Sequence, residues 1–210
     1  MLRGVTTEPG LREQKKQATR EALRQAALRL ALERGPDHVR VDDIAAAAGV
    51  SPRTYNNYFP SREHAIVAAV TADRDTRIAA AVAARPAKVR LSTAVVDAVV
   101  EGYTDPSDDA RDALLMITTN PSLRATYVDA AATIERPLAD VFVERTGMDR
   151  LAAQVLAAAV GAATKVALRS WLQPPATTAI KGLVVPSGSL HDLLRTALAP
   201  LAPALDAGRR

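Results

Sequence analysis

Cysteine is absent from all 210 residues, so the chain has neither disulfides nor thiolate metal sites available to it. Histidine is scarce: His38, His64 and His191 stand far apart, without the spacing of a ligand set, and no metal is expected. Aromatic residues make up only 3% against 48% hydrophobic residues, so alanine and valine must build the core through many small helix–helix contacts. No nucleophile elbow, phosphate-binding glycine loop or dinucleotide fingerprint occurs. The acidic doublets Asp42-Asp43 and Asp108-Asp109 fall at helix starts, where the dipole accounts for them. The expectation is therefore no catalytic residues, no cofactor and no enzyme activity. An unbroken apolar span is also missing. The most apolar run, Leu151 to Leu168, is interrupted by Gln154 and Lys165, and a buried helix suits it better than a membrane crossing. The N-terminal stretch MLRGVTTEPGLREQKKQ lacks the apolar core of a signal peptide, so a soluble cytoplasmic protein is expected.

What charge there is lies unevenly. Residues 1–62 carry 11 Lys+Arg and 7 Asp+Glu, whereas residues 63–210 carry 16 of each, so the formal +4 of the chain sits entirely in its first part. A basic module on a neutral body is what a duplex-binding head needs, because phosphate neutralisation supplies most of the sequence-independent affinity.

Within that basic part, VDDIAAAAGVSPRTYNNYFPSRE (Val41 to Glu63) reads as helix, tight turn, helix. Gly49 supplies the left-handed residue that ends the first helix, and Val50 docks inward. Ser51 is a good N-cap, with Pro52 at the first helical position. The second helix is expected to run to Phe59 and stop at Pro60. Tyr55 and Phe59, four apart, form its core face, while Arg53, Thr54, Asn56 and Asn57 spread over the others. This is the layout of a helix with its back in a core and its front in a major groove.

With the basic helix before it (Leu11 to Arg34) and Ser61-Arg62-Glu63 after it, the stretch resembles the DNA-binding domain of TetR-type, tetracycline-repressor-like transcriptional regulators. The resemblance rests on Asp42-Asp43-Ile44, Ala48-Gly49-Val50-Ser51, Tyr55 with Tyr58-Phe59, and Pro60 to Glu63, and it covers about residues 11–70. It implies an all-α fold of about nine helices: a helix-turn-helix head on a larger helical body that binds ligand and dimerises. The expected divisions are a flexible arm over 1–10, the head over 11–61, a linking helix over 62–84 and the body over 85–210. The DNA-binding set is Arg40, Ser51, Arg53, Thr54, Asn56, Asn57, Tyr58 and Arg62. Arg53 is the candidate reader of guanine, Thr54 can meet thymine or a phosphate, and Asn57 can pair with adenine. Tyr58 meets the backbone through its polar tip, and Arg62 holds a phosphate at a helix start. Two positions depart from the family. Val41 stands where a capping threonine is usual, leaving Arg40 as backbone contact and Asp42 as cap, and Asn56 stands where an aromatic is usual.

The body reads as helices over Lys88 to Tyr103, Asp109 to Thr119, Asn120 to about Thr146 with a bend at Pro137, Asp149 to Gln173, and Ser189 to about Ala202. A turn at Asp105-Pro106-Ser107 and a loop or lid over 173–188 separate them. The fourth helix, Arg62 to Ala84, is expected to show Asp73, Arg74, Asp75 and Arg77 to solvent. Tyr103, Met116, Thr119, Tyr127, Phe142 and Trp171 are the larger or polar-tipped residues among small ones, and they are the candidate ligand-binding residues, each also a candidate for the core. The last two helices show more apolar surface than one chain covers, which in the family forms the homodimer interface. The chain is also similar in overall look to mycofactocin-type regulators of the family, some of which answer to acyl-coenzyme A. The partners implied are a palindromic DNA operator, a second copy of the chain and a small apolar effector, acyl-CoA-like if that likeness extends to the ligand, with no membrane. A repressor released by that effector is the reading. The alternative is a helical small-molecule carrier or enzyme with a non-specific basic head, and a third is an architectural DNA protein.

Overall fold

The computed structural model describes residues 10–104, 108–172, 179–180, 183–184 and 189–207. Residues 1–9 of the expected N-terminal arm, the turn at 105–107 and most of the 173–188 loop lie outside them. The chain folds as two compact units, Met1–Ala69 and Val70–Arg210.

In the first unit α1 (Leu11–Arg34) buries Leu23, Ala26, Ala27, Leu30 and Ala31, the stripe its 3.6-residue period predicts. A 3-10 turn (Pro36–His38) leads to α2 (Val41–Ala47), which buries Ile44 and Ala45. The end of α2 is a Schellman motif. Gly49, at φ 69°, lets its own N–H reach Ala46 O (3.1 Å) and the Val50 N–H reach Ala45 O (2.9 Å). Next comes α3 (Pro52–Asn56), which ends three residues short of the expected Phe59. The chain turns there, with the N–H groups of Tyr58 and Phe59 both on Tyr55 O (2.8 and 3.1 Å). Tyr55 and Phe59 are buried, as expected, their rings 5.9 Å apart. The long α4 (Arg62–Ala84) follows, and the boundary between units falls inside it.

The second unit contains α5 (Leu91–Thr104), α6 (Asp108–Thr119), α7 (Pro121–Asp129), α8 (Glu135–Thr146), α9 (Arg150–Leu172), α10 (Leu190–Leu198) and α11 (Ala202–Asp206). A two-residue antiparallel pairing, β1 (Ala179–Ile180) with β2 (Leu183–Val184), falls within the expected loop. Two expected helices are each divided. The stretch from Asn120 to Thr146 breaks into α7, a 3-10 turn (Ala130–Ile134) and α8, not at Pro137 but ahead of it. The reason is local. Pro137 has no N–H for Thr133 O, and its ring collides with that carbonyl, so α geometry cannot pass through 133, whereas a proline in the first turn of α8 costs nothing. Likewise Pro200 splits the last helix into α10 and α11 around a 3-10 turn (Ala199–Leu201). Counted as continuous stretches, the described helices number nine, as the resemblance implied.

Packing in this unit centres on α9, which lies against α8, α10 and the Ala130–Ile134 turn. Gly161 is where that turn comes close: a Cβ there would sit 3.4 Å from Ala131 O. Leu123, Ile134, Leu138, Phe142, Leu168 and Leu194 are fully buried, each contributing about 1.5–3 kcal/mol. That exceeds the half-exposed ion pairs Arg150–Asp140 and Lys165–Asp129, worth at most about 1 kcal/mol apiece. Two charged groups work as caps instead. Asp206 accepts from the Ser92 N–H (3.0 Å) and hydroxyl (2.8 Å) at the start of α5. Arg145 of α8 donates to the carbonyls of Val82 (3.0 Å), Arg85, Pro86 (2.9 Å) and Val89 (3.1 Å), closing the end of α4.

Candidate functional site

In the first unit the recognition element is built from its cap outward. Ser51 Oγ accepts the Thr54 N–H (3.1 Å) and shares a 2.9 Å hydrogen bond with the Thr54 hydroxyl, while Pro52 opens the helix. Both hydroxyls are thus engaged locally. Behind them the Tyr55 hydroxyl donates to Ser61 O (2.8 Å), and burial together with nearby Glu63 pushes this phenol up to about 12, so it stays a donor. Arg20 of α1 lies 5.0 Å from the centre of the Phe59 ring, a cation–π contact that ties α1 to the turn following α3.

The front of α3 is left open. Arg53, Asn56 and Asn57 are exposed and Tyr58 is half-buried. Arg53 makes no hydrogen bond or ion pair with any described residue, so its fork of donors is available. Beside it a groove of about 350 Å³ is lined by Arg12, Lys15, Lys16 and Thr19 of α1 with Thr54, Asn57 and Tyr58. The three cations of α1 lack carboxylate partners among the described residues. They belong with the candidate site, although the DNA-binding set read from the sequence did not include them. The signal available was Arg12, Lys15 and Lys16 on one edge, at spacings of three and four.

Two other candidates are placed differently. Arg62 spends its guanidinium inside the unit: Nε on Glu63 (2.8 Å), Nη1 on the carbonyls of Asp37 (3.0 Å) and Val39 (2.9 Å). It staples the α1–α2 connection to the start of α4. Arg40 is exposed at the N-cap of α2, and the carboxylate that accepts its N–H (3.2 Å) belongs to Asp43, not to the expected Asp42. With Val41 unable to cap, the third helical position does the work from inside the first turn, as in half of a capping box.

The six ligand candidates of the second unit do not form one group. Tyr103 and Tyr127 share a small cavity of about 30 Å³ with Val70, Arg74, Arg77, Gly102 and Leu114. Phe142 is core, Met116 and Trp171 are half-buried elsewhere, and Thr119 is exposed with its hydroxyl on Leu115 O (2.9 Å). The residues missing from the sequence reading are Arg74 and Asp75. Expected on a solvated face, they are 4% and 6% exposed. The register was legible: Val67, Thr71, Arg74, Ile78 and Val82 follow the four-and-three spacing of a single buried stripe. Burial opposes the charge on Arg74, but the two tyrosines and Asp75 outweigh it and hold the guanidinium protonated beyond its ordinary range.

Residues 23–69 match the family described as bacterial regulatory proteins, tetR family, and residues 85–206 match the MftR C-terminal domain. The chain is 31% identical over 208 residues to the HTH-type transcriptional regulator TcmR of Streptomyces glaucescens, covering 93% of this chain and 91% of that one. In fold it is similar to Thermus thermophilus FadR, a TetR family transcriptional repressor solved in complex with lauroyl-CoA. That likeness has a TM-score of 0.51 at 19% identity and covers 87% of this chain and 92% of the other. The chain therefore belongs to the tetR family of bacterial regulatory proteins, as a DNA-binding transcriptional regulator with a predominantly helical, MftR-type C-terminal body.

Proposed function

We propose that this regulator is a cytoplasmic homodimeric repressor that holds a palindromic operator and leaves it when a small apolar effector enters the body. The head is assigned to residues 11–61, the linking helix to 62–84 and the effector and dimerisation body to 85–210. The observation that carries the operator reading is the outer face of α3, where Arg53, unpaired among the described residues, stands with Asn56 and Asn57 beside the basic groove of Arg12, Lys15 and Lys16. In this reading Arg53 and Asn57 read base edges, and Thr54, through its methyl, packs on thymine. Arg40, Tyr58 and the α1 cations hold phosphates, while Ser51 and Arg62 keep the reading helix in place. Two such helices, one from each copy, enter major grooves about 34–36 Å apart. Exposed Leu151 (67%), Val155 (60%) and Val166 (60%) on α9 support pairing of two copies through the last helices. An acyl-CoA-like effector is suggested by the body's match to the MftR domain and by the ligand in the FadR structure.

Selection of bound sites from random DNA supplies the operator, and footprinting of Arg53→Ala on it tests the assignment. Loss of the arginine is expected to weaken binding by about 1–3 kcal/mol and to relax preference at one base position in each half-site. Wild-type affinity is expected to fall steeply with added salt. Unchanged affinity and unchanged base preference in Arg53→Ala would remove Arg53 from the reading set. Binding with no site preference would favour an architectural protein, and no binding at all a carrier.

A further inference from the structure

The body carries a charge pair where its helical pattern asks for apolar side chains. Arg74 Nε and Nη2 both donate to Asp75 Oδ1 (3.2 and 3.1 Å), and Nη1 donates to the Tyr127 hydroxyl (3.1 Å). The guanidinium lies 4.0 Å from the centre of the Tyr103 ring and 5.4 Å from that of Tyr127. The second oxygen of Asp75 accepts from the Thr133 hydroxyl, so this carboxylate is occupied on both sides. Gly102 permits the arrangement, since a Cβ there would overlap Ile78 of α4.

What remains unspent in this cluster is chiefly donor capacity, beside the lone pairs that the two phenol oxygens keep. The Tyr103 hydroxyl is buried and has no hydrogen-bond partner among the described residues. Tyr127 accepts from Arg74 and keeps its own proton to give. The guanidinium has five N–H groups, of which three are used. These donors border the cavity of about 30 Å³, which exceeds the ~10–15 Å³ that one water-sized group requires. Its other walls are Val70, Gly102 and Leu114, with Arg77 adding a second cation and Asp75 already neutralised by Arg74. A cluster needed only for packing has no use for the Tyr103 oxygen, because phenylalanine gives the same ring without a desolvated hydroxyl.

We propose that this cavity is the head-group end of the effector site and takes an acceptor-only oxygen group, a carbonyl or a carboxylate, borne on an apolar ligand. Tyr103 and Tyr127 donate their hydroxyl protons to it, Arg74 supplies charge from beneath, and Val70 and Leu114 receive the first carbons of the tail. The proposal rests on the effector reading above and deepens it, naming the ligand's polar end.

The test uses the full chain, with decanoate, methyl decanoate and decylamine as probes in calorimetric titration. Decanoate or methyl decanoate is expected to bind about tenfold or more tightly than decylamine, whose head only donates. Which of the two binds better separates carboxylate from carbonyl. Arg74→Met would leave Asp75 as a buried unpaired charge and endanger folding, so Tyr103→Phe carries the argument. That variant is expected to melt at or above the wild-type temperature and to bind the better probe about tenfold more weakly. Equal affinity in wild type and Tyr103→Phe, or decylamine binding as tightly as decanoate, overturns the head-group site while leaving the effector reading intact. No binding of any of the three also overturns it. The effector reading itself is judged separately, by whether a broad set of small molecules releases the wild-type protein from its operator.

Discussion

At the scale of single residues, position outranks type. Arg53, Arg62 and Arg74 are chemically identical, yet one is open to solvent, one staples two segments and one lies buried against tyrosines. Glu63 shows how such a setting becomes measurable. Burial alone would raise its carboxyl, but hydrogen bonds from Ser61 and Arg62 outweigh it and hold the group below its ordinary 4.5. Because the folded state then binds the proton less readily than the unfolded state, the contribution is present above 4.5 and is lost as pH falls through the lower folded value. Glu63→Gln is expected to lower the melting temperature near neutral pH and to flatten its fall on the acid side of 4.5. Parallel melting curves for the two proteins across that range would show no such coupling. The arginine roles were only partly legible in the sequence. Arg53 follows from its place on a short capped helix, whereas the job of Arg62 depends on carbonyls more than twenty residues away. Arg74 was misread because a charged residue among charged neighbours suggests solvent, although the stripe of Val67, Thr71, Ile78 and Val82 runs through it.

Among elements, the short helices depend most on their ends. Five residues give α3 almost no intrinsic helical stability, so its shape rests on the Ser51 cap, Pro52 and the buried Tyr55. Ser51→Ala removes the acceptor of the Thr54 N–H and is expected to cost about 1 kcal/mol. A drop in the head's thermal midpoint, recovered by Ser51→Asn, would bear this out; an unchanged midpoint would mean the cap is redundant. Helix existence could be read from period and capping residues nearly throughout, as with Leu23 to Ala31, Gly49 and the Ser189–Asp192 pair. Interruptions were less legible. A proline was read as a bend at its own position, but its steric demand acts on the carbonyl four residues earlier, and so the break precedes Pro137.

For the whole molecule, the decisive feature is the apolar surface that one copy leaves uncovered. By length and composition α9 is apolar enough to cross a membrane, yet its buried stripe of Ala153, Ala157, Val160, Thr164 and Leu168 packs within the body. Leu151 and Val155, one turn apart, point outward with Val166 further along. Replacing both Leu151 and Val155 by aspartate is expected to give a single-chain species in sedimentation, with the helical circular dichroism of the parent retained. Operator affinity should fall with it, since two heads would no longer act as one ligand. A double variant that sediments like the wild type would place the partner surface elsewhere. The composition foretold this surplus of apolar helix, but no pattern in one chain says which of its faces would receive a partner.

The grip of Arg145 on the end of α4 has a mechanical corollary. Terminal turns usually unravel first, because water competes for their last carbonyls. Here a side chain rooted in α8 occupies one such acceptor, Val82 O, and three carbonyls of the segment that follows the helix, Arg85, Pro86 and Val89, while Thr133, just ahead of α8, holds Asp75 midway along α4. Joined at two points, α4 and the α8 segment behave as a yoked pair: neither can slide along its axis without carrying the other or breaking charged bonds. A guest molecule that wedges these helices apart must therefore work against two latches at once, and it will move a frame instead of a lone rod.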